Sequence, residues 1–125
     1  MLEASTALAV KMDILLRSSA GRIIGIECKF LSSVTDQFKS RAYDMIHLKK
    51  EYGDKLFGIM LYVHVRGFGG LGLARAAAYC HPYDRFFGYE VSTPEEVQRL
   101  DLSELCPIVA AQLLPAARSS RAPAN

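Results

Sequence analysis

Hydrophobic and polar residues alternate twice near the start of this chain, and then the period changes. Over residues 7–17, Met12, Ile14 and Leu16 alternate with Lys11, Asp13, Leu15 and Arg17, which predicts a strand. Ser18 to Gly21 is turn chemistry. Residues 22–30 return to the period of two. Ile24, Ile26, Cys28 and Phe30 share one face, and Gly25, Glu27 and Lys29 share the other. The connection is short enough for an antiparallel hairpin. From residue 34 the period lengthens. Val34, Phe38, Ala42, Met45, Leu48 and Tyr52 recur every three or four positions, predicting a helix to about Tyr52. Ser33 is its N-cap with Asp36 at N3, Lys49 and Lys50 suit the negative end of its dipole, and Gly53 follows its last turn.

Residues 55–65, KLFGIMLYVHV, are nearly all apolar, the signature of a central strand covered on both faces. Strand, helix, strand implies a right-handed parallel crossover. A glycine-rich segment at 67–72 leads into a short Ala-rich helix over Leu71–Cys80, and RFFGYEV at 85–91 reads as another strand. Thr93, Pro94 and Glu96 supply N-cap, N1 and N3 of a further helix. Leu100, Leu102, Leu105, Val109 and Leu113 continue its spacing, with Pro107 forcing a kink or restart. The expected class is α/β, a mixed central β-sheet flanked by helices. Residues 1–117 form one domain, and the polar stretch at 118–125 reads as a disordered tail.

Composition narrows this picture only a little. At 125 residues the chain buries a modest core. A formal charge of +2 is too weak to imply nucleic acid by itself, so a phosphate-binding surface must come from local placement of Lys and Arg. No run of 18 apolar residues is present, so no membrane span is expected. MLEASTALAV lacks the basic start of a secretory signal. Three widely spaced cysteines fit reduced thiols in a cytoplasmic protein.

The chemistry gathers on the hairpin. With the turn centred on Ala20, Asp13 lies opposite Glu27, and opposed residues project to the same face about 5 Å apart at Cβ. Lys29 shares that face, beside Gly25, which is expected to leave space. A slip of one residue in register would move Asp13 to the other face. Two carboxylates suit Mg²⁺ or Mn²⁺, since a hard octahedral cation usually takes one or two carboxylates, waters and phosphate oxygens. The backbone carbonyl of Cys28 is a further oxygen donor. The competing reading is a solvated charge pair on an exposed sheet face.

An Asp on one strand followed by Glu-x-Lys on the next, with a helix behind, resembles the PD-(D/E)xK nuclease superfamily of restriction endonuclease-like fold. The resemblance covers roughly residues 7–65. It implies catalytic roles for Asp13, Glu27 and Lys29. It also implies metal binding by Asp13, Glu27 and the Cys28 carbonyl, and cleavage of phosphodiester bonds in DNA, with RNA second. Gln37 and Arg41, one turn apart on the following helix, are the matching candidates for phosphate or water positioning. Two departures stand out: Met12 replaces the proline of the motif, and the expected N-terminal helix is short or missing. Members of the superfamily often act as dimers or in larger assemblies. An inactive nuclease-fold protein that binds or assembles nucleic acid is the alternative function.

Other motifs carry less. Gly67–Gly72 matches G-x-G-x-x-G after a strand, with Glu90 18 residues beyond, the outline of a dinucleotide site. The remaining chain is too short for a complete two-half sheet of that type. Arg66 and Arg75 nearby suit phosphate, and Arg66 joins the substrate-binding candidates. Cys80-His81 has no second pair at zinc spacing. Cys28 falls on the apolar face and reads as packing.

Overall fold

The computed structural model describes residues 12–30, 35–67, 69 and 71–113, with backbone only at 35–37. The hairpin consists of β1 (Ile14–Arg17) and β2 (Ile23–Phe30), and α1 (Thr35–Tyr52) leads through a 3-10 turn into β3 (Leu56–Val65). Then follow α2 (Leu73–Ala78), β4 (Arg85–Val91), a 3-10 helix (Pro94–Arg99) and α3 (Leu105–Leu113). The four described strands form one mixed sheet in the order β1-β2-β3-β4. β1 is antiparallel to β2, and β2, β3 and β4 run parallel. The protein is therefore α/β, with helices on both faces.

The alternation within β2 divides the interior. Ile24, Ile26, Ile59 and Phe87 pack beneath Leu105, Ile108, Val109 and Leu113 of α3. On the opposite face, Ile23, Leu56, Met60 and Tyr62 pack against Phe38, Met45 and Leu48 of α1 and Leu71, Ala76 and Cys80 around α2. Val63, Val65 and Val91 form a third cluster with Val97 and Leu100 at the 3-10 helix. β3 is buried along both faces, as its continuous apolar run predicts.

The sequence expectations need several corrections. The strand expected over 7–17 begins at Ile14 among the described residues. Met12 leaves the alternation and packs on the α1 face, with Ile23 and Leu56. A Cβ on Gly25 would meet Met12 Sδ at 2.8 Å. The space expected beside Gly25 is thus filled by the Met12 thioether. The helix expected to run on from Thr93 is instead two pieces. Ser103 N–H donates to Asp101 Oδ1 at 3.0 Å, a local bond that competes with helix. The chain restarts at Leu105, so Pro107 sits in a first turn where its missing donor costs nothing. The Ala-rich helix spans only Leu73–Ala78. Ser33 as N-cap, the Asp36 side chain of the expected capping box, the region of a short or missing N-terminal helix and the tail at 118–125 lie outside what the structure describes. No described helix is long and apolar enough to cross a membrane, and the three cysteines are free.

Candidate active site

The register of the hairpin decides where its charges go. Ile14 pairs with Ile26, Leu15 with Gly25 and Leu16 with Ile24. Ser18 N–H donates to the Arg22 carbonyl at 2.9 Å, closing the turn around Ala20. Continued by one position, this register would set Asp13 opposite Glu27, where the sequence expects it. β1 ends just short of that pair, and the Asp13 side chain completes the ladder. Its Oδ2 accepts a 2.8 Å hydrogen bond from Cys28 N–H. A strand residue presents its N–H and C=O to the same edge, so the Cys28 carbonyl also lies on the Asp13 side of β2.

Glu27 points from β2 towards α1 and is only 2% exposed. Its Oε2 lies 3.0 Å from Arg41 Nε and 3.4 Å from Lys29 Nζ. Arg41 comes from the buried stripe of α1, one turn after Phe38 and one before Met45. That stripe predicts an apolar residue, and the cation there faces Glu27. Arg41 NH1 also reaches Asp44 Oδ2 at 3.6 Å. Beneath them, Tyr62 pairs with Lys29 in the β2–β3 register. The Tyr62 ring meets Phe38 edge-on, with centroids 5.0 Å apart. Tyr83, also buried, donates its hydroxyl to the Arg41 carbonyl at 3.5 Å.

Electrostatics match this crowding. Burial holds the Glu27 carboxyl above its usual range, and the Asp13 charge adds to the rise, while Arg41 and Lys29 pull against it. Burial, followed by the charges of Asp13 and Glu27, raises the Cys28 thiol. Its side chain packs with the α3 cluster, so Cys28 is a packing residue and not a thiolate. Burial and the nearby Glu27 charge raise the Tyr83 phenol strongly. Burial alone pushes the Cys80 thiol up to about 12.

Asp13, Glu27, Lys29 and Arg41 are thus brought together near the carboxyl end of β2. In open α/β sheets, ligands bind outside the carboxyl ends of the parallel strands. Gln37 is on the first turns of α1, and its side chain lies outside the described residues. Arg66 does not join the cluster. It lies four positions beyond Tyr62, about 13 Å further along β3. Its NH1 donates to Ser92 Oγ at 3.2 Å, and its NH2 lies 3.4 Å from Glu90 Oε1. His64 occupies the same rim, with Nδ1 3.2 Å from Glu90 Oε2 and Nε2 3.1 Å from the Gly69 carbonyl. Glu90, the acidic residue of the dinucleotide outline, is therefore engaged by His64 and Arg66. Gly67 and Gly69 have φ of 87° and 80°, a left-handed turn that glycine favours. Tyr62 Oη donates to the Leu71 carbonyl at 2.6 Å, fastening the end of that loop. These contacts fit the glycines to a turn, and the helix after them has only six residues.

Among the described residues no three His, Cys, Asp or Glu side chains gather as a metal cage. A magnesium-type site usually takes only one or two carboxylates, with waters and substrate oxygens completing its shell. Sequence reasoning missed Asp44 and Tyr83. Asp44 follows Arg41 by three positions, a helical pairing that was open to reading. Tyr83 reaches the site only through tertiary packing.

The fold and cluster define an α/β protein with a buried carboxylate between two cations near the carboxyl end of a parallel strand. Compared with models of known protein families, with curated proteins and with solved structures, the chain matches none.

Proposed function

We propose that this protein is a Mg²⁺-dependent nuclease, with Mn²⁺ able to replace Mg²⁺, that hydrolyses phosphodiester bonds in DNA. The supporting observation is the hairpin, where the Asp13 carboxylate accepts from the Cys28 N–H next to Glu27, and Lys29 and Arg41 meet on the buried Glu27 carboxylate. Asp13, Glu27 and the Cys28 carbonyl would hold the ion. When bound, it supplies Lewis-acid polarisation of the phosphodiester and an acidified water. Lys29 orients the attacking water and offsets negative charge growing on the phosphoryl oxygens. Arg41 is partly exposed and presents its remaining N–H groups to a phosphate.

One observation favours a second reading. Glu27 is already satisfied by two cations, so the same cluster suits a fold that binds nucleic acid without cutting it. A cleavage assay separates the two. Wild type is incubated with DNA or RNA in Mg²⁺ or Mn²⁺, or in chelator, beside Glu27→Ala and Lys29→Ala. The nuclease reading expects cutting only with metal and a loss of about 10²-fold or more in each variant. Cutting in chelator, or full activity in both variants, rejects it. Binding without cutting under either metal establishes the second reading.

A further inference from the structure

Arg41 occupies the carboxylate that the proposed metal needs. Its Nε holds Glu27 Oε2 at 3.0 Å, at a residue almost fully withdrawn from solvent. Its side chain is nevertheless 37% exposed, and in the same conformation NH1 lies 3.6 Å from Asp44 Oδ2. The guanidinium is therefore shared between a buried carboxylate and a less buried one. Around Glu27, the carboxylates of Asp13 and Glu27 stand beside the positive charges of Lys29 and Arg41. A divalent cation added here adds positive charge, with Arg41 and the ion competing for Glu27 in a poorly screened setting. A phosphodiester, carrying one negative charge, offsets part of that addition and offers the guanidinium a better anion than a shared carboxylate oxygen.

We infer that Arg41 couples the two ligands of this site: it guards Glu27 in the free protein and moves onto the substrate phosphate, so that metal and nucleic acid bind cooperatively. The inference rests on the metal-dependent reading above. Coupling of this kind is reciprocal, because each ligand must raise the affinity for the other by the same factor. It also explains why a buried carboxylate meant for a cation is paired with an arginine. An unpaired buried charge is costly, and Arg41 satisfies Glu27 until the ligands arrive. Asp44, which Arg41 also touches, is a positioning residue that shares the guanidinium with Glu27 and so weakens its hold on that carboxylate.

The test is Mn²⁺ binding, measured by titration calorimetry on the whole chain. It is done without nucleic acid and with an all-phosphorothioate oligonucleotide, which keeps the backbone charge and resists hydrolysis. For wild type the oligonucleotide should tighten Mn²⁺ binding by a factor in the usual range for coupled sites, roughly 5–150-fold. Arg41→Gln should bind Mn²⁺ more tightly than wild type in the absence of oligonucleotide and lose most of the coupling. Asp44→Asn should act in the opposite direction, weakening Mn²⁺ binding by the free protein while keeping the coupling. Opposite shifts in two neighbouring variants separate the effect from general loss of folding. Equal Mn²⁺ affinity with and without oligonucleotide in wild type, or unchanged free-protein affinity in Arg41→Gln, overturns the inference while leaving a metal site in place. No Mn²⁺ binding under either condition overturns the metal-dependent reading itself, and the inference with it.

Discussion

Met12 and Gly25 show at the residue scale how a site is held by its neighbours. Met12 closes over the backbone of Gly25, where any Cβ would collide with its Sδ and, at 3.0 Å, its Cγ. Met12 also directly precedes Asp13, so its seat fixes the start of the segment that carries the carboxylate. Gly25→Ala should cost about 1–3 kcal/mol, the usual range for overpacking a core. Met12→Ala removes the colliding atoms and leaves a gap. The double variant should then be less destabilised than the sum of the two single changes. Urea unfolding of all four proteins measures this coupling, and strict additivity would show that the two residues do not meet. The alternation of β2 made Gly25 readable as a small residue on the charged face. It gave no sign that Met12 fills that place, because Met12 has the parity of Ile14 and Leu16 and breaks it only through a backbone turn.

α1 is pinned to the sheet, at the scale of an element, by a polar contact at either end of its buried stripe. Near one end Arg41 meets Glu27, and near the other Lys49 meets Asp84. Asp84 Oδ2 also accepts from Gly58 N–H at 2.7 Å, and Lys49 Nζ donates to the Leu56 carbonyl at 2.9 Å. This latch lies at the amino ends of β3 and β4, away from Glu27. Asp84→Ala leaves the Gly58 N–H and the Lys49 ammonium without that acceptor and should cost about 1–2 kcal/mol. Metal affinity of the folded protein should not change. Urea unfolding paired with a Mn²⁺ titration checks both halves, and a fall in affinity would mean that α1 shifts as a unit. The order of elements and the hairpin register were legible because they rest on local chemistry: the turn around Ala20, the parity of residues 22–30 and the apolar run at 55–65. The Lys49–Asp84 latch was not legible, since nothing in the spacing of Lys49 says which strand end it meets. The break between the 3-10 helix and α3 was hidden for another reason. Leu100 and Leu102 keep helical spacing, but Leu100 packs with the valines of β3 and β4 while Leu102 is exposed.

At the scale of the whole molecule, the burial of Glu27 sets folding against the metal binding proposed for it. Burial is the largest influence on Glu27 and raises its pKa above the ordinary 4.5. The folded state then binds this proton more tightly than the unfolded chain does. The contribution of Glu27 to stability is therefore greatest below pH 4.5 and is lost as pH rises through the folded pKa. Above that point the folded protein holds an ionised carboxylate that its surroundings disfavour, even with Arg41 and Lys29 alongside. Glu27→Gln, close in shape and uncharged, removes this loss. At pH 7 it should melt higher than wild type by a few degrees, and the difference should disappear as pH falls towards 4.5. A divalent cation acts in the other direction, because it binds only the ionised form. At a hundredfold excess over its Kd, Mg²⁺ should stabilise wild type by about 2.7 kcal/mol. That is a rise in Tm on the order of 10 °C for a chain of this size. The rise should shrink with falling pH and vanish in Glu27→Gln. Thermal unfolding of both proteins from pH 4.5 to 8, with Mg²⁺ and with chelator, reads all of this in one series. If Glu27→Gln melts lower than wild type at pH 7, then Arg41 and Lys29 outweigh burial, and Glu27 is a structural ion pair. If it melts higher and has lost the Mg²⁺ response, the fold carries a charge whose only return is the ion it holds.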